Sequence, residues 1–178
     1  MPYPILETGR LWLQSLLPHM QGEHITWQPA TGEALANKQE LHFASKEEAH
    51  HFEVGFQQYQ KFDLGHWAII RKQDGLLLGW CGLRLNEEDN SADLGFRLAP
   101  AYWRHGYTAE AADACVKFAF TYTGIDCIYA RLKTGNAGAA KVLSALGMTK
   151  QNDTIAAGSA PGATQAYSIK KEDWLSLQ

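Results

Sequence analysis

The spacing of apolar positions changes repeatedly along this chain, and each change marks an element. Arg10-Leu11-Trp12-Leu13-Gln14-Ser15-Leu16-Leu17 has the length of a strand, stopping at Pro18, which removes a ladder donor. Residues 19–43 mix turn residues with a weak helical run from Gly32 to Asn37. Ser45-Lys46-Glu47-Glu48 then makes a capping box, and Phe52, Phe56 and Tyr59 follow at helical spacing. An amphipathic helix is predicted over 46–60. From His66 the period shortens, and His66–Arg71, Leu76–Leu85 and Ser91–Leu98 read as an antiparallel meander. Gln73-Asp74-Gly75 supplies its first turn, and Gly79 and Gly82 predict a bulge or a close backbone approach. Past Pro100 the pattern is helical: Ala111, Cys115, Phe118 and Tyr122 share a face over 108–122, closed at Gly124. A strand over 127–132, a helix from Asn136 to Gly147, and strands over 148–154 and 164–169 complete the order. This succession predicts a mixed α/β fold with helices on both faces of a twisted sheet.

Composition narrows the class. With 178 residues, 46% hydrophobic and 20% charged, the chain suits one domain over 1–178 and excludes a disordered or fibrous protein. Lys and Arg number 16 against 19 Asp and Glu, a net charge of −3, so no broad cationic field draws in nucleic acid or an anionic membrane. Cys81, Cys115 and Cys127 form no CxxC or CxxH cluster, which favours buried thiols over a disulfide framework or a zinc site. His50-His51 has no i, i+4 partner, so no metal is expected. Met1-Pro2-Tyr3-Pro4 lacks a basic leader, and no stretch reaches the ~20 apolar residues of a membrane helix. A soluble, cytoplasmic protein is expected.

The most informative stretch is Tyr102-Trp103-Arg104-His105-Gly106-Tyr107-Thr108-Ala109-Glu110-Ala111. A strand ends, a glycine turn follows, and a helix of small residues begins. First-turn amides lack intrahelical acceptors and carry the positive end of the helix dipole, so they can hold a phosphate. Gly106 permits close approach and Arg104 adds a fixed positive charge. The residues alone fit an ordinary strand-to-helix turn equally well.

The segment resembles the acetyl-CoA pyrophosphate loop of the GNAT acetyltransferase superfamily, in detail that of its RimJ/RimL-type branch. That branch typically reads Tyr-Trp-Gly-Lys-Gly-Tyr-Ala-Thr-Glu-Ala. Thr108 stands where the superfamily pattern has Gly or Ala. The likeness continues over about 7–170. Glu7-Thr8-Gly9-Arg10-Leu11-Trp12-Leu13 is similar to the branch's E-T-x-R-L-x-L opening, and Gly79-Trp80-Cys81-Gly82-Leu83 to I-G-x-x-G-L. Asp93-Leu94-Gly95-Phe96-Arg97-Leu98 is similar to E-[IL]-G-[YF]-x-L, and Asn136-Ala137-Gly138-Ala139 to N-x-x-[SA]. The stretch 19–65, where the branch builds its acceptor site, matches least.

The resemblance implies a GNAT fold of six or seven strands, acetyl-CoA as co-substrate, and acetyl transfer to a primary amine within a ternary complex. The strand Leu94–Leu98 would splay from Ile128–Leu132 to admit the pantetheine arm against Phe96 and Leu98. The pyrophosphate would rest on Gly106, Tyr107, Thr108 and Ala109, flanked by Arg104 and His105, with Asn136 bonding the arm or serving as a plain N-cap. Asp93 takes the place of the family's base, through a relayed water, or is a solvent-facing carboxylate. Leu143 stands where many members have a tyrosine acid; Tyr107 is a local substitute or packing. The acceptor is expected to be a protein N-terminus or a small amine, and the protein a monomer or homodimer. Two alternatives stay open: acetylation of a small metabolite or antibiotic amine, and a CoA-binding module with little catalysis.

Overall fold

Strands of alternating or continuous apolar character bury at least one face, and here they join in one mixed sheet. The computed structural model describes residues 6–21, 24–29, 64–152 and 164–178. Its strands are β1 (Leu6–Glu7), β2 (Leu11–Gln21), β3 (His24–Pro29), β4 (His66–Arg71), β5 (Leu77–Asn86) and β6 (Ser91–Leu98), then β7 (Cys127–Lys133), β8 (Thr149–Lys150) and β9 (Thr164–Lys170). The helices are α1 (Tyr107–Tyr122), α2 (Ala137–Ala145) and α3 (Lys171–Ser176). Eight strands run in the order β1-β2-β4-β5-β6-β7-β9-β8, and β3 pairs with the far half of β2. The strand count exceeds the predicted six or seven because β3 and the two-residue β1 give weak sequence signals, while the strand predicted over 148–154 is present as β8.

Pro18 does not end the first strand. Leu11–Ser15 pair with β4, while Leu16–Gln21 pair with β3, Pro18 opposite Trp27. Among the described residues that second half has a neighbour on one side only, which is where a strand tolerates proline. The predicted meander is present as β4, β5 and β6, antiparallel throughout. Its two glycines mark close approaches. A Cβ at Gly82 would lie 2.1 Å from the Gly65 carbonyl oxygen, and one at Gly79 would lie 2.0 Å from that of Arg97. The β4–β5 register also shifts between Ile69 and Ile70, opposite Gly79.

Helix α1 packs through Ala111, Ala112, Cys115, Val116, Ala119 and Phe120, all buried. Small residues on that face let it lie close to Cys81, whose Sγ is 3.6 Å from that of Cys115. Cys81 pairs with Phe96 and Leu83 with Leu94, so this face of β5 and β6 is the α1 face. Trp174 of α3 meets Phe120 of α1 at 5.4 Å between rings. Gly147, at φ +84, closes α2 as predicted and faces Ile169 of β9 and Leu177. The three described helices therefore cover one side of the sheet. Thr123 rather than Gly124 ends α1, its hydroxyl and amide both bonding the Ala119 carbonyl. The helix predicted over 46–60 and the His50-His51 pair lie outside the described residues.

Candidate active site

The sheet opens at one place. β6 and β7 run parallel but pair only through Ser91↔Cys127, Ala92↔Ile128 and Asp93↔Tyr129. Beyond this fork Leu94–Leu98 stays on β5 and Ala130–Lys133 stays on β9, leaving a gap between them. The amide of Ala99 bonds the Leu78 carbonyl at 2.9 Å. Backbone groups alternate in direction along an antiparallel strand, so the amides of Phe96 and Leu98 point away from β5, into the gap. The Leu98 carbonyl, which points the same way, accepts the indole N–H of Trp103 at 2.8 Å. An extended ligand arm entering the gap meets the backbone groups a missing strand would have used.

Because β6 and β7 are parallel, the helices that follow them both begin at the open end of the gap. Gly106, at φ +78, is the N-cap of α1 and offers no side chain. The first amide bonded within the turn is that of Glu110, to the Gly106 carbonyl at 3.1 Å, which leaves those of Tyr107, Thr108 and Ala109 without helical acceptors. These amides and the helix dipole fit a phosphate group. Across the gap, Asn136 caps α2, its Oδ1 accepting from the Ala139 amide at 3.1 Å. Its Nδ2 makes no hydrogen bond to a described residue, so the capping and ligand-binding readings are compatible.

A clamp that the sequence did not reveal holds this loop. Glu110 accepts from the Thr8 hydroxyl at 2.5 Å, from the Arg10 amide at 2.8 Å and from Arg10 Nε at 2.7 Å. Arg10 also donates to the His105 carbonyl at 2.9 Å and lies 4.5 Å over the Tyr107 ring. Arg71 pairs in two hydrogen bonds with Asp74, at 2.9 and 2.5 Å, and that pairing is the main cause that raises the guanidinium above its usual value and keeps it cationic. Tyr107 is thus part of the clamp rather than aimed at the fork, and Leu143 is fully buried. The only signal for the clamp was the joint presence of the Thr8-Gly9-Arg10 and Gly106–Glu110 motifs.

Partial burial pushes the Glu110 carboxyl up, but the hydrogen bonds from Thr8 and Arg10 and the Arg10 charge outweigh it and hold it below the usual range. A depressed carboxyl contributes stability that is full above the unfolded value, ~4.3, and is lost as pH falls through the folded value. Unfolding free energy measured from pH 7 to pH 3 is therefore expected to fall more steeply for the wild type than for Glu110→Gln.

Arg104 adopts φ +66, a left-handed conformation that disfavours a side chain. The strain, roughly 1–2 kcal/mol, exceeds or matches what glycine loses in backbone entropy, roughly 0.5–1 kcal/mol. Arg104→Gly is expected to keep the melting temperature within a few degrees while weakening CoA binding severalfold in calorimetry. An unchanged affinity would remove Arg104 from the site.

At the fork, Asp93 meets two guanidinium groups, Arg84 at 2.8 Å and Arg131 at 3.8 Å. Both arginines escaped the sequence reading. The alternation that puts Leu94 and Ile128 on the α1 face puts Asp93, Arg84 and Arg131 on the opposite face, with Tyr129 beside them. A hydrogen bond with Cys127 and the nearby carboxylates raise the Tyr129 hydroxyl, so it stays protonated at neutral pH. Cys81 and Cys115 are fully buried, and burial pushes the Cys115 thiol up, which suits neither for nucleophilic attack.

Known proteins share this fold. The profile of the Acetyltransferase (GNAT) domain matches residues 18–149. The uncharacterized N-acetyltransferase YoaA of Bacillus subtilis is 26% identical over 182 residues, covering 95% of this chain and 98% of YoaA. An acetyltransferase of Agrobacterium tumefaciens has the same fold at a TM-score of 0.67, with 20% identity and 95% of each chain covered. A ribosomal-protein-S5-alanine acetyltransferase of Vibrio fischeri superposes at a TM-score of 0.57, with 20% identity over 66% of this chain and 68% of its own. The parted parallel strands, the glycine-capped helix beyond them and a profile match over most of the length lead to one conclusion: this chain belongs to the GNAT family of N-acetyltransferases.

Proposed function

We propose that this protein moves an acetyl group from acetyl-CoA to a primary amine by direct attack in a ternary complex. The observation that carries the reading is the junction of the β6–β7 gap with the free first-turn amides of α1. Acetyl-CoA, when bound, supplies an activated thioester. Gly106, Tyr107, Thr108 and Ala109 would hold its pyrophosphate, with Arg104 and His105 alongside. Phe96 and Leu98 would bond its arm through their backbone amides, the Leu98 amide also polarising the reacting carbonyl. The Asn136 amide group would steady the arm from the other side.

At neutral pH a primary amine is mostly protonated, so the reaction needs a proton acceptor near the fork. Asp93 is the carboxylate placed there, acting through a water. The departing thiolate, of pKa near ~8.5, is a tolerable leaving group without a dedicated acid. The motif set supports the RimJ/RimL-type branch and an N-terminal amine as acceptor.

A rival reading, a CoA-binding module with little catalysis, draws on the Arg84 ion pair, which Asp93 must weaken to accept a proton. Free-thiol release with acetyl-CoA and a panel of amines separates the two. We expect turnover with at least one amine and a fall of ~100-fold or more in kcat for Asp93→Ala, with the KM for acetyl-CoA unchanged. A stabilising shift with acetyl-CoA but no thiol release with any amine would favour the binding module.

A further inference from the structure

Among the described residues the helices lie on one face of the sheet, and the opposite face at the fork has a definite charge pattern. Going from the fork toward the open end, β7 presents Tyr129, Arg131 and Lys133, and β6 presents Asp93, Gly95 and Arg97. Glu87, Glu88 and Asp89 sit behind the fork, in the β5–β6 turn. Among these strand positions Asp93 is the single acid, and it is shared. Its Oδ2 accepts from Arg84 at 2.8 Å, a hydrogen-bonded pair. Its Oδ1 lies 3.8 Å from Arg131, too far for a hydrogen bond.

Arg131 makes no hydrogen bond to a described residue, and its side chain is 34% exposed. It projects from the first outward-facing position of β7 beyond the paired rungs, beside the carboxylate assigned to receive the amine's proton. A guanidinium offers a planar fork of donors that matches a carboxylate or phosphate in two parallel bonds. A cationic chain such as a polyamine meets a fork where two guanidinium groups share one carboxylate.

We propose that the acceptor carries an anionic group close to its amine, and that Arg131 is the residue that reads it. The amine is drawn toward Asp93 while its carboxylate or phosphate takes the Arg131 donors that Asp93 leaves unbonded. An anion on Arg131 also frees Asp93 from one competing cation, so recognition and proton acceptance favour each other. The proposal rests on the acetyltransferase reading, and names the substrate class of that same site.

The test pairs acceptors of nearly the same shape that carry or lack the anion. Thiol release is measured with acetyl-CoA and a C-terminally amidated Ala-Asp peptide, the same amidated peptide with asparagine in place of aspartate, free alanine, alaninamide and spermidine. The two alanine compounds and the two peptides distinguish a small amino acid from a protein N-terminus as the source of the anion. Binding of the same compounds to the CoA complex is followed by calorimetry, which needs no turnover.

At least one acidic acceptor is expected to exceed its neutral twin by 10-fold or more in kcat/KM and to bind more tightly. Arg131→Ala should erase that preference through KM, Arg131→Lys should restore part of it, and Arg131→Glu should shift preference toward spermidine. Equal or better use of the neutral twins and spermidine by the wild type, or a preference that survives in Arg131→Ala, would overturn the proposal and leave the acetyltransferase reading intact. Failure of acetyl-CoA to bind at all would instead overturn the reading beneath it. If CoA binds but nothing turns over, calorimetry decides: Arg131-dependent binding of the acidic compounds supports the proposal, and its absence overturns it.

Discussion

Replacing Gly82 with alanine is expected to lower the melting temperature by about 10 °C. The new Cβ would stand 2.1 Å from the Gly65 carbonyl oxygen and 2.5 Å from the His66 Cα. Both neighbours are backbone, so no side chain can rotate out of the way. Relief requires β4 and β5 to separate where His66 pairs with Gly82, beside the Trp80 and His66 rings, whose centroids lie 4.8 Å apart. Overpacking of this kind costs about 3 kcal/mol, a large part of the 5–15 kcal/mol that holds a domain together. At roughly 2–4 °C per kcal/mol for a chain of this size, the shift is easily read by a circular dichroism melt. A melting temperature within 2 °C of wild type would mean that β4 and β5 are not locked as described. Alanine at Gly124, where nothing lies within 4 Å of the Cβ position and φ is not positive, is the matched control for adding a Cβ without a clash.

The second large effect concerns the clamp. Glu110→Ala is expected to weaken CoA binding about 10-fold and to cost about 1–2 kcal/mol of stability. The loss in affinity does not require Glu110 to touch the ligand. Its carboxylate fixes Arg10, and Arg10 fixes the His105 carbonyl one residue before Gly106. Without that tie the first-turn amides must be ordered at the moment of binding. Arg10→Ala should act in the same way, and the double variant should cost clearly less than the sum of the two, since both remove one network. Strictly additive losses, or a Glu110→Ala protein that binds CoA as tightly as wild type, would separate the clamp from ligand binding.

How far these features could be read in the sequence depended on their range along the chain. The glycine-capped start of α1 is local, so the run from Tyr102 to Ala111 carried it in full. Gly79 and Gly82 announced close approaches because a glycine inside a strand has few other uses, although the partners, Arg97 and Gly65, came only with the register. The Thr8–Arg10–Glu110 network joins positions about a hundred residues apart. Its motifs were visible, but nothing in either one says that it meets the other. Asp93 was placed on the right strand. Its pairing with Arg84 depends on the length of the Asn86–Asn90 turn, and its approach to Arg131 depends on a parallel pairing made across α1. Pro18 misled because the rule against proline in strands assumes a neighbour on each side. α3 escaped notice because six residues with a single buried tryptophan have no readable period.

We propose that the loop amides of α1 and the gap-facing amides of β6 form one binding surface for CoA. Titrating CoA into isotope-labelled protein and following each backbone amide by NMR tests it directly. The largest shifts are expected on Gly106, Tyr107, Thr108 and Ala109 and on Phe96 and Leu98, saturating together at one affinity. Saturable binding that leaves both sets of amides unmoved would contradict it.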